Sequence, residues 1–180
     1  LALNSNLTLY GSAPLTLVAS GSVPGNILNL NGNTLTCTWN GYAGSLSTFG
    51  PTNAYIEGGS MTVYGRGGGT TGSTWNFPFS ATFTSVTGTG LGFVDGSDIT
   101  KMTVTETAAP TNATVGGNAI AIGNRAFRVR TNSFQTTAGI SGTNPNITLR
   151  YTSQDGLTNT QDQTFVARAA TLSGQWNVVS

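Results

Sequence analysis

The side chains in this sequence that could carry acid–base or metal chemistry are six carboxylates, because the chain contains no histidine. The absence of histidine removes the commonest general base, Ser-His-Asp and Cys-His catalysis, and most zinc sites. Glycoside hydrolysis would need two carboxylates on either side of a cleft. The acids here are scattered and lie mainly in predicted loops, so we expect no catalytic residues and no enzymatic activity. They are Glu57, Asp95, Asp98, Glu106, Asp155 and Asp162.

Two short acidic segments could instead bind a hard cation. Residues 94–98 read VDGSD and residues 154–162 read QDGLTNTQD, so each places two aspartates among Gly, Ser, Thr or Asn. Ca²⁺ prefers such oxygen-rich loops. Asp-Gly is also a strong turn signal, and neither segment matches an EF-hand, so plain turns are the alternative. The aspartates that would bind calcium are Asp95, Asp98, Asp155 and Asp162. We expect no other cofactor.

Aromatic side chains raise the hypothesis of glycan binding, because sugar rings stack on exposed aromatic faces. Trp39, Trp75 and Trp176 lie in alternating strand segments, where packing in a core is the commoner role. The better candidates for a glycan-binding surface are therefore Tyr10, Tyr42 and Tyr64.

The composition indicates an extracellular protein. Charged residues make up 7% of the chain, against about 25% in a typical soluble domain. Gly, Thr, Ser and Asn replace them, as in many secreted adhesins, fibres and surface-layer proteins. The net charge of +1 gives no reason to expect nucleic-acid binding, and the short apolar runs exclude a transmembrane helix. Since the chain begins at Leu1, we interpret it as a mature or trimmed product.

The single cysteine has a structural interpretation. Cys37 cannot form an intrachain disulfide, because the sequence has no second cysteine. It lies on the apolar face of a predicted strand, so we expect a buried, inert thiol rather than a reactive one. Secretion is therefore inferred from composition and not from disulfides.

The elements that would position these side chains are β-strands. Apolar and polar residues alternate with a period of two, and helical periodicity is absent. Phe127 and Val129, for example, would face one side of a strand while Arg128 and Arg130 face the other. Half-buried strands of this kind are typical of antiparallel sheets, and two such sheets pack face to face in a sandwich. The sequence predicts an all-β fold with an antiparallel β-sandwich of jelly-roll or Ig-like type.

The length and composition of the predicted strands change near Gly58. Before it the strands are short and rich in Leu, whereas beyond it they are longer and carry nearly all the charges. We therefore expect a leading β-ladder over residues 1–57 that shares the core of a β-sandwich over residues 58–180. The alternative is one domain over residues 1–180, since a ladder of about 57 residues would be marginal alone.

The ladder itself allows two topologies. Residues 27–39 read ILNLNGNTLTCTW, and Asn-Gly between apolar alternations is the strongest short hairpin signal. A hairpin at Asn31-Gly32 is the favoured prediction, and it would place Leu28 opposite Leu35. The alternative is a solenoid, in which successive coils stack on one another in parallel. The segments that would stack are Leu7-Leu9, Leu15-Leu17, Leu28-Leu30 and Leu35-Cys37.

From about Ala54 onward the chain resembles a recurring region of large secreted surface proteins of Bacteroidetes-type bacteria. The segments that carry the resemblance are AYIEGGSMTVYG, TWNFPFSATFTSVT, NRAFRVRTNS, NPNITLRYTSQDGLTNTQDQTFVARA and SGQWNVV. The chain departs from that pattern at Phe79-Ser80, where Leu-Gly or Val-Gly is usual. The segments LNSNLTLYG and LNLNGNTLTC are similar to the solenoid-like repeats that often precede the region. The resemblance implies a β-rich extracellular module exported by the type IX system, commonly an adhesin or surface scaffold, and brings no catalytic residues.

The apolar start of the chain suggests how such a module would work. A strand at residues 1–10 would place four leucines on one face, and that face must be covered. Cover could come from its own sandwich, from upstream coils, or from a neighbouring subunit that pairs with the strand. We predict the last, which gives a homo-oligomer or filament, with a glycan-binding adhesin module as the alternative. The leucines of this assembly strand are Leu1, Leu3, Leu7 and Leu9.

Overall fold

The computed structural model of the protein describes residues 1–10, 27–37, 55–64, 73–79, 83–88, 101–108, 114–115, 118–119, 125–131, 146–149, 167–168 and 175–178. All regular structure in these residues is β-strand, which confirms the all-β prediction for this part of the chain. No helix in the same residues is long and apolar enough to cross a membrane. The strands are β1 (Leu7–Leu9), β2 (Leu28–Asn29), β3 (Thr34–Cys37), β4 (Ile56–Glu57), β5 (Ser60–Tyr64), β6 (Ser73–Phe79), β7 (Phe83–Gly88), β8 (Lys101–Ala108), β9 (Thr114–Val115), β10 (Asn118–Ala119), β11 (Arg125–Thr131), β12 (Asn146–Leu149), β13 (Ala167–Arg168) and β14 (Gln175–Val178).

The chain divides into two compact units. Unit 1 consists of Leu1–Glu106 and Phe127–Arg150, and unit 2 consists of Thr107–Ala126 and Tyr151–Ser180. Buried residues on both sides of Gly58 belong to one core cluster in unit 1. The division into a ladder over residues 1–57 and a sandwich over residues 58–180 remains a prediction.

The described strands form three open sheets with mixed strand directions. Unit 1 holds the orders β1-β3-β5-β8-β11 and β12-β7-β6-β4-β2, apart from the ends of β8 and β11, and unit 2 holds β10-β9-β14-β13. The predicted antiparallel pairing is confirmed for β5-β8, β6-β7 and β7-β12. Within residues 58–180 it is wrong for β9-β14, which is parallel. The pairs that involve residues 1–57 are also parallel, and they are β1-β3, β3-β5, β2-β4 and β4-β6. Alternation reports which face of a strand is buried, and it carries no information on the direction of the neighbour.

Three successive segments of unit 1 stack in parallel, and we call them rung 1 (residues 1–10), rung 2 (residues 27–37) and rung 3 (residues 55–64). Each rung contributes to both five-stranded sheets, with a corner between its two extended parts. The solenoid alternative is confirmed where Leu7 lies opposite Leu35 and Leu9 opposite Cys37. The predicted Leu15-Leu17 coil and Trp39 lie outside the described residues.

The favoured hairpin at Asn31-Gly32 is wrong. β2 and β3 lie in different sheets, and Leu28 is opposite Ile56 rather than Leu35. The turn itself is nevertheless present, because Asn31 and Gly32 have φ values of 51° and 79°. Positive φ at both central residues is the signature of a type I′ turn. The dipeptide therefore predicted the turn and not the strands that the turn connects.

Two hydrogen bonds explain why no hairpin forms. The Asn33 amide donates to the Leu30 carbonyl over 2.8 Å, which closes the turn. A hairpin would also need the Leu30 amide to donate to the Asn33 carbonyl. Instead the Leu30 amide donates to the Glu57 carbonyl over 2.8 Å, and the Asn33 carbonyl accepts from the Ser60 amide over 3.0 Å. Rung 3 therefore takes the hydrogen bonds that a second hairpin strand would have used.

One hydrophobic core lies between these strands of unit 1. Leu35, Met61 and Val104 are opposite one another on neighbouring strands and are fully buried. Phe127 and Val129 pack against the same cluster, whereas Arg128 and Arg130 are exposed, as their alternation predicts. Core residues come from both five-stranded sheets. They are Leu28, Leu30, Leu35, Cys37, Ile56, Met61, Val63, Phe77, Phe79, Met102 and Val104.

Candidate assembly edge

Rung 1 lies at the edge of both sheets of unit 1 in the described part of the chain. β1 is the first strand of its sheet and pairs on one side with β3. At the other sheet, Ala2 forms an isolated parallel bridge to Asn29 of β2, which is the last strand in that order. The strand that was predicted for assembly is thus an edge strand, and edge strands can pair with another chain.

The apolar side chains of rung 1 are much less buried than those of rung 2. Leu30 and Leu35 are 0% exposed, because rung 1 lies on one side of them and rung 3 on the other. Leu3 and Leu7 are only half-buried, and Leu1 is 85% exposed. Leu9 is half-buried in the same way. The predicted assembly residues therefore lack the cover that a further rung gives to rung 2.

The backbone of rung 1 also presents groups toward the open edge. The Leu3 amide donates to the Asn29 carbonyl over 2.9 Å, and the Asn29 amide donates to the Leu1 carbonyl over 2.8 Å. In a parallel ladder the residue between these two, Ala2, directs its N–H and C=O to the opposite side. Neither group takes part in a hydrogen bond between described residues. An incoming strand would find a donor and an acceptor at Ala2.

Asparagines at the corner connect rung 1 to rung 2. The Thr34 amide donates to Asn6 Oδ1 over 2.8 Å. Asn33 Nδ2 donates to the Leu3 carbonyl over 3.2 Å and to the Asn31 carbonyl over 3.4 Å. Each asparagine thus satisfies backbone groups that the turning chain cannot pair by itself. These side chains fix the register of one corner on the next.

The corner of rung 3 is bonded to its neighbours by two carboxylates. Asn29 Nδ2 donates to Glu57 Oε1 over 3.2 Å. The Gly58 amide donates to Glu106 Oε2 over 2.7 Å, and the Glu106 amide donates to the Gly59 carbonyl over 3.0 Å. Both acids therefore have structural partners at the corner. Among the described residues, no group of three or more potential metal ligands comes together.

The face of the ladder opposite the core is lined by hydroxyl groups, and Thr62 on this face is itself buried. Thr62 Oγ1 and Thr103 Oγ1 are 2.8 Å apart, as are Ser60 Oγ and Thr105 Oγ1. One row of threonines crosses four strands in register. It consists of Thr8, Thr36, Thr62 and Thr103. Rung 1 itself has no charged side chain.

The remaining candidates are the tyrosines proposed for glycan binding and the aspartates proposed for calcium binding. Tyr10 is 78% exposed, as a sugar-stacking residue would have to be. Tyr64 is half-buried, and Lys101 Nζ lies 5.4 Å from the centroid of its ring. That ring face is therefore already in contact with a cation. Tyr42 and the predicted calcium ligands lie outside the described residues. Those ligands are Asp95, Asp98, Asp155 and Asp162.

Cys37 is buried in the core, as its position on the apolar face predicts. It is 1% exposed, and burial raises the pKa of its thiol from 9.0 to about 11. A thiol of this kind stays neutral at physiological pH and does not act as a nucleophile.

The corner asparagines are not among the predicted site residues, although they bond rung 1 to rung 2. Rungs 1 and 2 share the pattern Leu-x-Leu-Asn-x-Asn, at residues 1–6 and 28–33. This repeat fits the solenoid alternative, whereas the Asn-Gly pair within it favours a turn in any context and so fits a hairpin equally well.

Comparisons of the chain with protein-family models, with curated proteins and with solved structures gave no match. The resemblance to secreted surface proteins of Bacteroidetes-type bacteria remains a prediction from the segments quoted above. Rung 1 is the described feature that best distinguishes this chain from an inert β-domain.

Proposed function

We propose that the protein is a non-catalytic extracellular structural or adhesive module that self-assembles through rung 1. The observation that carries the proposal is the position of rung 1 at the sheet edge in the described part of the chain, with half-buried leucines and with Ala2 peptide groups that pair with no described residue. Main-chain pairing at such an edge gives affinity, and the apolar side chains add burial. Self-association through this edge yields an oligomer, or a filament where the contact does not close.

The composition supports an extracellular setting. Thr and Ser occupy most of the outward positions of β3, β5 and β8, and Tyr64 and Lys101 occupy the others at one end. We further propose that the two five-stranded sheets of unit 1 form a β-sandwich, which their common core supports. A surface module needs no catalytic set, and the sequence offers no histidine to build one.

The substitution Ala2→Pro tests the assembly directly. It removes the N–H that faces the open edge and leaves intact the bonds of Leu1 and Leu3 to Asn29. Proline is tolerated on the free side of an edge strand. We expect Ala2→Pro to reduce the assembly to monomers in sedimentation velocity and negative-stain images, with stability changed by less than about 1 kcal/mol.

The control for this experiment is Leu3→Pro, which removes the amide that donates to Asn29 over 2.9 Å. That variant should lose stability, because the internal bond between rungs 1 and 2 is broken. If oligomers persist both in Ala2→Pro and after deletion of residues 1–10, rung 1 is not the assembly surface.

A second candidate function, glycan binding, is favoured by the exposure of Tyr10. An exposed ring at the end of rung 1 could stack on a sugar, whereas the ring of Tyr64 already contacts Lys101. On a glycan array, Tyr10→Ala should therefore lose binding and Tyr64→Ala should keep it. Absence of binding by the folded, unmodified protein to any glycan would leave the structural function alone.

A further inference from the structure

We infer that Asn31 is a deamidation site that is protected by the contact between rungs 2 and 3 and reacts when that contact opens. The inference is independent of the proposed self-assembly, and the two are tested separately. Its basis is an Asn-Gly pair at an exposed corner, together with the hydrogen bond that occupies the Gly32 amide.

Deamidation of an asparagine uses the amide nitrogen of the next residue as its nucleophile. Hydroxide removes the Gly32 amide proton, the nitrogen forms a bond to Asn31 Cγ, and the Cγ–Nδ2 bond breaks. The departing Nδ2 takes a proton from water and leaves as ammonia. Water then cleaves one of the two C–N bonds of the succinimide ring. Cleavage at Cγ gives aspartate, whereas cleavage at the main-chain carbonyl of Asn31 gives isoaspartate.

Sequence and exposure make Asn31 the more reactive of the two asparagines beside the turn. Glycine follows it, so no β-carbon shields the attacking nitrogen. Both residues of the pair are exposed, and a β-carbon on Gly32 would meet nothing within 4 Å, so water and hydroxide reach them. Asn33 is followed instead by the β-branched Thr34, whose amide donates to Asn6 Oδ1 over 2.8 Å.

The folded corner opposes the same reaction. The Gly32 amide donates to the Gly58 carbonyl over 2.6 Å. The nitrogen of a succinimide carries no hydrogen, so this bond must break before the ring can close. The Asn31 backbone is also fixed, because its φ is 51° and its amide donates to Asn29 Oδ1 over 2.7 Å. Rung 3 therefore holds the nucleophile in an unreactive state although the corner is exposed.

Reaction at Asn31 prevents the corner from closing again. Isoaspartate adds one atom to the main chain between Asn31 Cα and the Gly32 nitrogen, so the Gly32 amide no longer meets the Gly58 carbonyl in the same register. Both products also add a negative charge to a corner that already holds Glu57 and Glu106. Deamidation therefore converts a reversible opening of the corner into a permanent one.

Mass spectrometry of the full chain, incubated at mildly alkaline pH, tests the inference. Cleavage after Trp39 separates Asn31 from a second Asn-Gly pair at Asn40, which lies outside the described residues. Electron-transfer fragmentation distinguishes aspartate from isoaspartate. The reference is a synthetic peptide of residues 27–37.

In the folded chain, Asn31 should deamidate at least about tenfold more slowly than in the peptide, because only the opened fraction reacts. The two rates should converge when the chain is unfolded in urea, and Asn33 should remain unmodified over the same period. A folded chain that reacts at the rate of the peptide would overturn the protection by rung 3. Faster reaction at Asn33 than at Asn31 would overturn the assignment of the site.

Two variants distinguish opening of the corner from unfolding of the whole chain. Gly59→Ala forces rungs 2 and 3 apart, because its β-carbon would lie 2.5 Å from the Asn33 carbonyl oxygen. The matched control is Met102→Ala, which shortens a buried side chain opposite Val63, at the far end of β5 from the corner. We expect Gly59→Ala to accelerate reaction at Asn31 by about fivefold or more, and Met102→Ala by less than about twofold. Equal acceleration would overturn local opening.

The urea dependence of the reaction gives the same distinction in the unmodified chain. Below the unfolding transition, the deamidation rate should rise less steeply with urea than the equilibrium constant for unfolding, because the corner exposes little surface when it opens. Equal slopes would show that Asn31 reacts only in the unfolded chain, which contradicts the inference. None of these results depends on whether the chain assembles through rung 1.

Discussion

At the scale of single residues, the corner of the ladder depends on glycines for two different reasons. Gly32 has a φ of +79°, and a β-carbon there would meet nothing within 4 Å. A β-carbon on Gly59 would lie 2.5 Å from the Asn33 carbonyl oxygen and 2.6 Å from Leu30 Cβ. The first position needs backbone freedom, and the second needs the space in which rungs 2 and 3 approach each other.

Alanine substitution should separate these two requirements. Gly32→Ala should cost about 1 kcal/mol, because the left-handed backbone is strained for a side chain that has room. Gly59→Ala should cost about 2–3 kcal/mol, since backbone and Leu30 must move. Urea unfolding of both variants measures the difference. Equal losses would show that rungs 2 and 3 are not in close contact at Gly59.

The buried thiol predicts a loss of stability at high pH. In the folded protein, burial raises the pKa of Cys37 to about 11, whereas the exposed thiol of the unfolded chain ionises near 9.0. The folded state therefore holds the proton more tightly between these values. The stabilisation is complete below pH 9 and is lost as the pH rises to 11, by on the order of 2 kcal/mol.

Cys37→Ala provides the comparison for this pH effect. The variant should be less stable at neutral pH, because a buried side chain is shortened. Its difference from the unmodified protein should shrink between pH 9 and pH 11 in urea titrations. A constant difference over that range would mean that the Cys37 thiol is accessible to ionisation in the folded state.

At the scale of elements, the same Asn-Gly turn can serve a hairpin or a stacked corner. The turn closes between Leu30 and Asn33 in both cases. What differs is the partner of the remaining backbone groups, which here belong to rung 3. The backbone partners of Leu30 and Asn33 therefore distinguish a stacked corner from a hairpin.

Asn33→Asp and Asn6→Asp should differ in their effect on stability, because the two side chains play different hydrogen-bonding roles. Asn33 acts as a donor to the carbonyls of Leu3 and Asn31, so a carboxylate there loses both bonds and faces two acceptors. Asn6 acts as an acceptor for the Thr34 amide, which a carboxylate still provides. We expect Asn33→Asp to cost about 1–2 kcal/mol and Asn6→Asp to be nearly neutral. Hydrogen exchange of rung 1 should report the same order, and the reverse order would contradict the assigned amide orientations.

At the scale of the whole molecule, the scarcity of charge predicts how assembly responds to salt. Rung 1 has no charged side chain, so pairing there depends on hydrogen bonds and apolar burial. Assembly should persist from about 0.05 M to about 1 M NaCl, because screening removes only electrostatic contacts. Sulfate should strengthen it. Dissociation by NaCl in light-scattering measurements would instead implicate the exposed arginines of β11.

Much of the local structure could be predicted from the sequence. The alternation of Phe127 and Val129 with arginines indicated their two faces, and the position of Cys37 indicated its burial. The sequence did not predict equally well whether the neighbouring strands of the ladder run parallel or antiparallel. Leucine alternation in rung 2 fits a hairpin and a parallel coil equally well, since both bury the same face.

The sequence by itself determined a charge-poor chain without histidine, the strands of the described residues, a tight turn at Asn31-Gly32 and an apolar first strand. These properties depend on composition and on residues that are neighbours along the chain. Only the tertiary structure decided that β1, β3 and β5 stack in parallel and that the Gly58 amide finds the Glu106 carboxylate. Those outcomes depend on hydrogen bonds between distant residues, whose competition no local pattern describes.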